Sequence, residues 1–267
     1  MKIVHFLSQD NKNCYGVLDS LESRTAYRIE GDIFSEYTIT KEKQAAKKFL
    51  PPVYPPNILA MGLNYQRHAD ETGVAYPEIP VMFLKATTAV IGHEECILLP
   101  RAGPDSVDYE AELAVIIGRQ AKNISVENAF DYILGYTCAN DVSARDWQFD
   151  KQKKQWARGK SFDTFCPIGP FLVTKDEIEN PDDLTVQTII NGTLFQDSRT
   201  SDMIFNVATI VSNASQSMTL LPGTVILTGT PQGVGFVRIP PRFLAVGDNV
   251  TVKIEKIGEL KNQVKNE

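Results

Sequence analysis

The run "DYEAELAVIIG", from Asp108 to Gly118, carries Glu110 and Glu112 inside a stretch whose Leu113, Val115, Ile116 and Ile117 read as a buried strand. Side chains alternate faces along a strand, so the two carboxylates point the same way, and Asp108 points with them if the strand reaches back that far. On the wet face of an edge strand such a pair is ordinary. In an apolar setting the two charges repel, and a divalent cation held between them turns repulsion into mutual support. A third oxygen donor is at hand in Asp141, at the end of the apolar strand "LGYTCAND". Three carboxylates with no cysteine or histidine beside them favour Mg²⁺, Mn²⁺ or Ca²⁺ over zinc.

In "RHADE", His68 and Glu71 stand three residues apart and share a face if the segment is helical. The pair reads either as a solvated helix turn or as an acid–base dyad in which Glu71 orients His68 for proton transfer near neutral pH. The segment "NDVSARDWQFDKQKKQWARGKSFDTF" holds Arg145, Lys151, Lys153, Lys154, Arg158 and Lys160. The Lys151–Lys154 run suits a solvated loop. Arg145 and Lys160 are flanked by less charged sequence and suit an anionic substrate, with Gln148 three residues past Arg145. In "LTGTPQGVG" a glycine-rich loop follows a strand, where backbone N–H groups can approach an anion and Thr228 and Thr230 can add hydroxyls; a plain tight turn is the alternative. The loop lacks a P-loop lysine and the Rossmann spacing.

These residues need a frame. The chain of 267 residues, 43% hydrophobic and 22% charged, is long enough for one large domain with a small appendage. Its net charge of −6 disfavours nucleic acid as the main partner. No apolar run suggests a membrane span, and the short apolar patch after Lys2 is too brief for a signal peptide. The four scattered cysteines, with no Cys-x-x-Cys, suit reduced thiols in the cytoplasm. Residues 1–50 read as a small unit of short strands ending in a helix, Thr40 to Leu50, with a threonine cap. Pro51 to Pro56, with four prolines in six residues, reads as a stiff linker. The larger unit, 57–267, alternates strands with few helices: a strand to Gly62, a short helix closed by Gly73, a serine-capped helix after Ser125 leading into a strand to Asp141, a hairpin at Asn191-Gly192, a helix within 203–220, and a final strand after Gly247-Asp248. That pattern predicts an α+β, mainly-β architecture.

Seven segments in this order, "GLNYQRHADE", "PVMFLKATTAVIG", "DYEAELAVIIG", "GYTCANDVSARDWQ", "GKSFDTFCPIGP", "DSRTSDMIFNVATIVS" and "LLPGTVILTGTPQGVG", resemble the fumarylacetoacetate hydrolase superfamily from about Asn57 to the end. The N-terminal fifty residues resemble the variable appendage of its two-domain members. The resemblance implies a mixed β-sandwich roll with a small N-terminal β-rich domain, assembled as a homodimer. It implies Mg²⁺ or a similar ion on Glu110, Glu112 and Asp141, a His68–Glu71 dyad on a lid helix, a catalytic Lys160, and substrate contacts from Arg145, Gln148 and Thr230. The implied activity is on a small anionic 2-oxo acid through a metal-bound enolate, first of all hydrolysis of a C–C bond in an acylpyruvate of the fumarylpyruvate or acetylpyruvate type. Decarboxylation or tautomerisation of oxaloacetate, and isomerisation or hydration of an unsaturated 2-oxo dicarboxylic acid, are the alternatives within the family. A non-catalytic, metal-braced dimer is the alternative from outside it.

Overall fold

The computed structural model describes residues 1–20 and 23–267. Four antiparallel strands open the chain: β1 (Lys2–Ser8), β2 (Asn13–Leu18), β3 (Thr25–Gly31) and β4 (Tyr37–Phe49). Then come β5 (Ile58–Gly62), helix α1 (Gln66–Thr72), β6 (Val81–Lys85), β7 (Val90–Ile91), β8 (Cys96–Leu99), β9 (Val107–Asp108) and β10 (Ala111–Ile117). The middle of the chain forms β11 (Ile133–Asn140), β12 (Ser143–Ala144), the one-turn α2 (Trp156–Gly159), β13 (Cys166–Thr174), β14 (Thr185–Ile190) and β15 (Thr193–Arg199). Helix α3 (Val207–Ser217), β16 (Val225–Leu227), β17 (Asn249–Ile254) and β18 (Gly258–Asn266) complete it.

An eleven-stranded sheet runs β2-β3-β4-β1-β13-β11-β10-β16-β5-β6, with β7 pairing beside β13. A five-stranded sheet, β15-β14-β17-β18-β8, packs with it, and β9 and β12 form a small ladder. Strand β10 lies between β11 and β16, and every one of its residues is buried. Its alternation serves two cores. Leu113, Val115 and Ile117 enter an apolar cluster with Val207, Val211 and Val252, while Ala114 and Ile116 enter a second with Ile97, Phe165 and Leu227. Helix α3 is capped by Asn206, whose side chain accepts from the Thr209 N–H at 2.9 Å. The Asn191-Gly192 turn has φ of 51° and 81°, the left-handed pair that a two-residue hairpin turn requires.

Three local expectations need correction. Thr40 to Leu50 is not a helix but most of β4, which pairs with β3 and β1. Its Lys, Gln, Glu and Ala residues favour a helix locally, but open ladder positions on both sides, with Ala46 and Phe49 turned into the core, outweigh that preference. The helix expected after Ser125 is a single 3₁₀ turn, Ala129–Tyr132, immediately before β11. The final strand is two, β17 and β18, paired antiparallel, with Lys256 at φ 62° in the connection. The Pro51–Pro56 stretch runs against the fold: Pro51, Pro52, Val53 and Pro55 are buried, and His5 Nδ1 lies 2.9 Å from the Pro51 carbonyl oxygen.

Candidate active site

Glu110 and Glu112 reach the same face because the β10–β11 ladder extends just beyond the strand ends. Glu112 opposes Ala139, and the Glu110 N–H donates to Asn140 Oδ1 at 2.9 Å while its carbonyl accepts from Asp141 N–H at 2.9 Å. The carboxylates of Glu110, Glu112 and Asp141 each present an oxygen within 4.8 Å of the others, and all three residues are buried. Burial and the central position of β10 set aside the wet-edge reading of this pair.

Lysine and arginine side chains enclose the cluster. Lys160 Nζ lies 2.5 Å from Glu110 Oε2 and 2.7 Å from Asp141 Oδ2. Lys85, at the end of β6, pairs with the other oxygen of Asp141. Arg145 Nη2 lies 2.7 Å from Glu110 Oε1 and 2.8 Å from Asp108 Oδ2, and its Nη1 donates to Gln148 Oε1 at 2.8 Å. Burial alone would raise the Glu110 carboxyl, but Lys160 and Arg145 outweigh it and hold the group down at about 2. Glu112 is different. Its Oε2 accepts from the Gly229 N–H at 2.6 Å, and no lysine or arginine pairs with it among the described residues. Burial, and then the neighbouring Asp141 and Glu110 charges, push its carboxyl well above the usual range. With Asp108 the nest holds four carboxylates against three cations, one negative charge in excess when all are ionised. A buried, surplus carboxylate beside two others fits a hard divalent cation, and Glu110, Glu112 and Asp141 are the residues able to hold it.

The glycine-rich loop after β16 uses its N–H groups as the sequence suggested, but on the protein's own carboxylates. Gly229 serves Glu112, Gly233 donates to Glu71 Oε2 at 2.9 Å, and Gly235 and Phe236 donate to Asp108 at 2.7 and 3.0 Å. Thr228 donates to the Leu113 carbonyl oxygen at 2.9 Å. Thr230 donates its hydroxyl proton to the Ala111 carbonyl oxygen at 3.0 Å and accepts from Gln196 Nε2 at 2.9 Å, so it faces the site as an acceptor.

Helix α1 ends at Gly73, φ 67°, as its spacing predicted, and carries the His–Glu pair: His68 Nδ1 lies 2.7 Å from Glu71 Oε1. With Glu71 fixed in turn by Gly233, the imidazole is held through Nδ1, and Nε2 has no hydrogen-bond partner among the described residues. A cavity of about 350 Å³ joins these parts: His68, Glu110, Arg145, Gln148, Lys160 and Thr230 all line it. Lys151, by contrast, pairs with Asp146 on the surface, and Lys153 and Lys154 take left-handed turn positions at φ 50° and 66°.

Three features escaped the sequence reading. Lys85 closes an apolar strand as Asp141 does, and that was its signal. Asp108 serves as the anchor of Arg145, with its Oδ2 accepting from Arg145 Nε at 2.9 Å, and takes no place in the metal cluster. The cavity's aromatic wall of Phe83, Phe149, Trp156 and Phe236 comes from four separate segments, and no local pattern announces it.

Residues 57–265 match the family model described as fumarylacetoacetate (FAA) hydrolase C-terminal, and residues 1–52 match one described as Rv2993c-like, N-terminal. An oxaloacetate tautomerase, fahd2, mitochondrial, of Xenopus laevis is 47% identical over 80% of this chain and 67% of its own. Among solved structures, a 5-carboxymethyl-2-hydroxymuconate delta-isomerase from Mycobacterium smegmatis is 38% identical with a TM-score of 0.88, each chain covered in full. A 2-hydroxyhepta-2,4-diene-1,7-dioate isomerase from Mycobacterium marinum is 39% identical with a TM-score of 0.87, covering 100% of this chain and 99% of that one. No helix of the described residues is long and apolar enough to cross a membrane.

Proposed function

The chain belongs to the fumarylacetoacetate hydrolase family, and from that premise we propose that it catalyses proton transfer at the carbon beside the carbonyl of a small 2-oxo acid, interconverting keto and enol forms. The observation that carries this reading is the cavity that His68 shares with Glu110, Arg145, Gln148 and Lys160. Bound by Glu110, Glu112 and Asp141, a divalent ion such as Mg²⁺ would supply Lewis-acid polarisation of the 2-oxo carboxylate and so acidify the neighbouring C–H.

The side chains supply the rest. His68 Nε2 is the free proton acceptor, and Glu71 on Nδ1 holds the ring's orientation and supports the imidazolium that forms. His68 then returns the proton to oxygen or to carbon, which makes the reaction an isomerisation. The Lys160 ammonium and the Arg145 guanidinium stand beside the charge that develops on the enolate oxygen. Gln148, with its carbonyl taken by Arg145, presents its amide N–H groups to a substrate oxygen. The tautomerase and isomerase activities in the names of the similar proteins are of this kind.

A second reading uses the same parts. The His68–Glu71 pair is equally suited to activating a water against the distal carbonyl of an acylpyruvate, which cleaves the C–C bond and releases pyruvate. The homodimer is part of the proposal, as is a chain organised as an N-terminal unit, 1–50, built onto the sheet of a catalytic unit, 57–267.

Enol oxaloacetate is the first compound to assay. Accelerated loss of its ultraviolet absorbance with Mg²⁺, abolished by EDTA, supports tautomerisation. Pyruvate release from acetylpyruvate under the same conditions moves the reading to hydrolysis. A protein whose Tm rises with Mg²⁺ but which turns over neither compound, and exchanges no C3 proton of an aryl-tailed 2-oxo acid, is a metal-braced structural protein.

A further inference from the structure

The two cations that line the cavity, Arg145 and Lys160, are both spent. Arg145 is paired with Asp108 and Glu110, and Lys160 with Glu110 and Asp141. Both are almost fully buried. They balance the acidic cluster and stand at the end of the cavity where a 2-oxo carboxylate head would be held.

Beyond the polar groups of His68, Thr72, Glu110, Gln148 and Thr230, the rest of the wall is of another kind. Phe83 and Trp156 meet edge to face with ring centroids 5.8 Å apart, and Phe149 and Phe236 tilt together at 5.5 Å. Each pair also covers one of the cations: Lys160 Nζ stands 5.4 Å from the Phe83 ring centre, and the Arg145 guanidinium 4.4 Å from that of Phe236. Met61, Leu63 and Val74 extend the apolar surface. The indole of Trp156 lies directly on the backbone of Gly62, where a Cβ would come within 2.1 Å of the ring. A glycine there is what admits the indole to the wall.

We infer that this wall receives an uncharged, apolar substituent on the substrate, so that the preferred substrates are 2-oxo acids with an alkyl or aryl tail and a single carboxylate. The inference rests on the proposed 2-oxo acid chemistry and names the substrate class within it. The similar proteins have names that point to dicarboxylic acids, whose second carboxylate would meet aromatic faces and no free cation here. Burying an unpaired charge against such a wall is costly, while an apolar group of matching shape gains from leaving water. The cavity, about 350 Å³, lies at the small end of the roughly 300–1,000 Å³ range for ligand pockets. That is room for a head group and one compact tail.

A matched pair of ligands separates charge from size: benzoylpyruvate and its para-carboxylated analogue, which share the same ring and head group. Dissociation constants are measured by calorimetry on the intact protein with Mg²⁺, with oxaloacetate as the third ligand. Benzoylpyruvate is expected to bind at least about tenfold more tightly than either dianion. Equal or tighter binding of the carboxylated analogue overturns the inference, as does binding of none of the three. Phe149→Arg, at a half-buried position of the wall, is expected to reverse the order within the matched pair, and an unchanged order in a variant of wild-type Tm also overturns it. Proton exchange at C3, followed by NMR in D₂O, tests the chemistry apart from the tail. Tight benzoylpyruvate binding with no exchange for any ligand defeats the proposed reaction and leaves the tail preference standing.

Discussion

Glu112 sits where its surroundings oppose a charge. One backbone N–H supports its carboxylate, while burial and then two like-charged neighbours push the carboxyl toward its protonated form, so ionising it costs the metal-free protein stability and a bound cation would relieve that cost. The two effects have opposite signs in one substitution. Glu112→Gln keeps the shape and an acceptor for Gly229 while removing the ionisable group. The metal-free variant should melt higher by about 1 kcal/mol, or roughly 2–4 °C for a chain of this size, and should lose most of the Tm increase that saturating Mg²⁺ gives the wild type. Thermal melts with Mg²⁺ and with EDTA check both halves, and a lower metal-free Tm would count against the surplus charge. His68 makes the complementary case. Its ring is held at one nitrogen and free at the other, so His68→Ala should leave ligand affinity within a few fold and cut the C3 exchange rate by about 10²–10⁴-fold. A variant that exchanges at the wild-type rate would remove His68 from the reaction.

The elements that place these residues were legible where a short pattern fixes a short piece of chain. The His68–Glu71 turn with its Gly73 stop, the Asn191-Gly192 hairpin and the buried run of β10 all follow from local spacing. Strand β4 did not, because its sequence prefers a helix in isolation and only the neighbouring β1 and β3 make it a strand. The loop from Gly229 to Phe236 was legible as an anion-binding loop, but its anions come from distant strands and from α1, and spacing along the chain does not encode them. The same holds for Lys85, Asp108 and the aromatic wall. This loop ties the acidic cluster to the dyad by serving Glu112, Glu71 and Asp108 together. Gly229 is its hinge into the site, with φ at 97°, where a Cβ would lie 2.7 Å from Asn64 Cβ. Asn64 cannot yield easily, because its amide donates to the Thr228 and Phe205 carbonyl oxygens at 2.7 and 3.0 Å. Gly229→Ala should therefore destabilise the fold by about 1–3 kcal/mol and weaken Mg²⁺ binding by displacing the N–H from Glu112. Chemical denaturation and a Mg²⁺ titration of Tm measure the two effects, and a wild-type result in both would show that the loop does not hold Glu112 in place.

At the scale of the molecule, the N-terminal residues are joined to the catalytic region by a continuous sheet. Strand β1 pairs with β13 through Lys2 with Val173 and Ile3 with Leu172. The cores are continuous as well: Val4, Phe6 and Phe49 share an apolar cluster with Leu113, Tyr136 and Val173, and Ile3, Ile29 and Ile33 share the other with Ile58 and Ala114. Removing residues 1–52 would take away several buried side chains worth about 1.5–3 kcal/mol each and open one edge of β13, a strand buried along its whole length. An uncovered apolar edge is a template for pairing with other chains. The shortened chain, 53–267, should therefore aggregate on expression, or melt at least about 10 °C below the intact protein with β13 losing its hydrogen-exchange protection first. A soluble fragment with the intact protein's Tm and Mg²⁺ response would show the reverse, that β13 tolerates a free edge and that residues 1–52 are a separable unit resting on a self-sufficient fold.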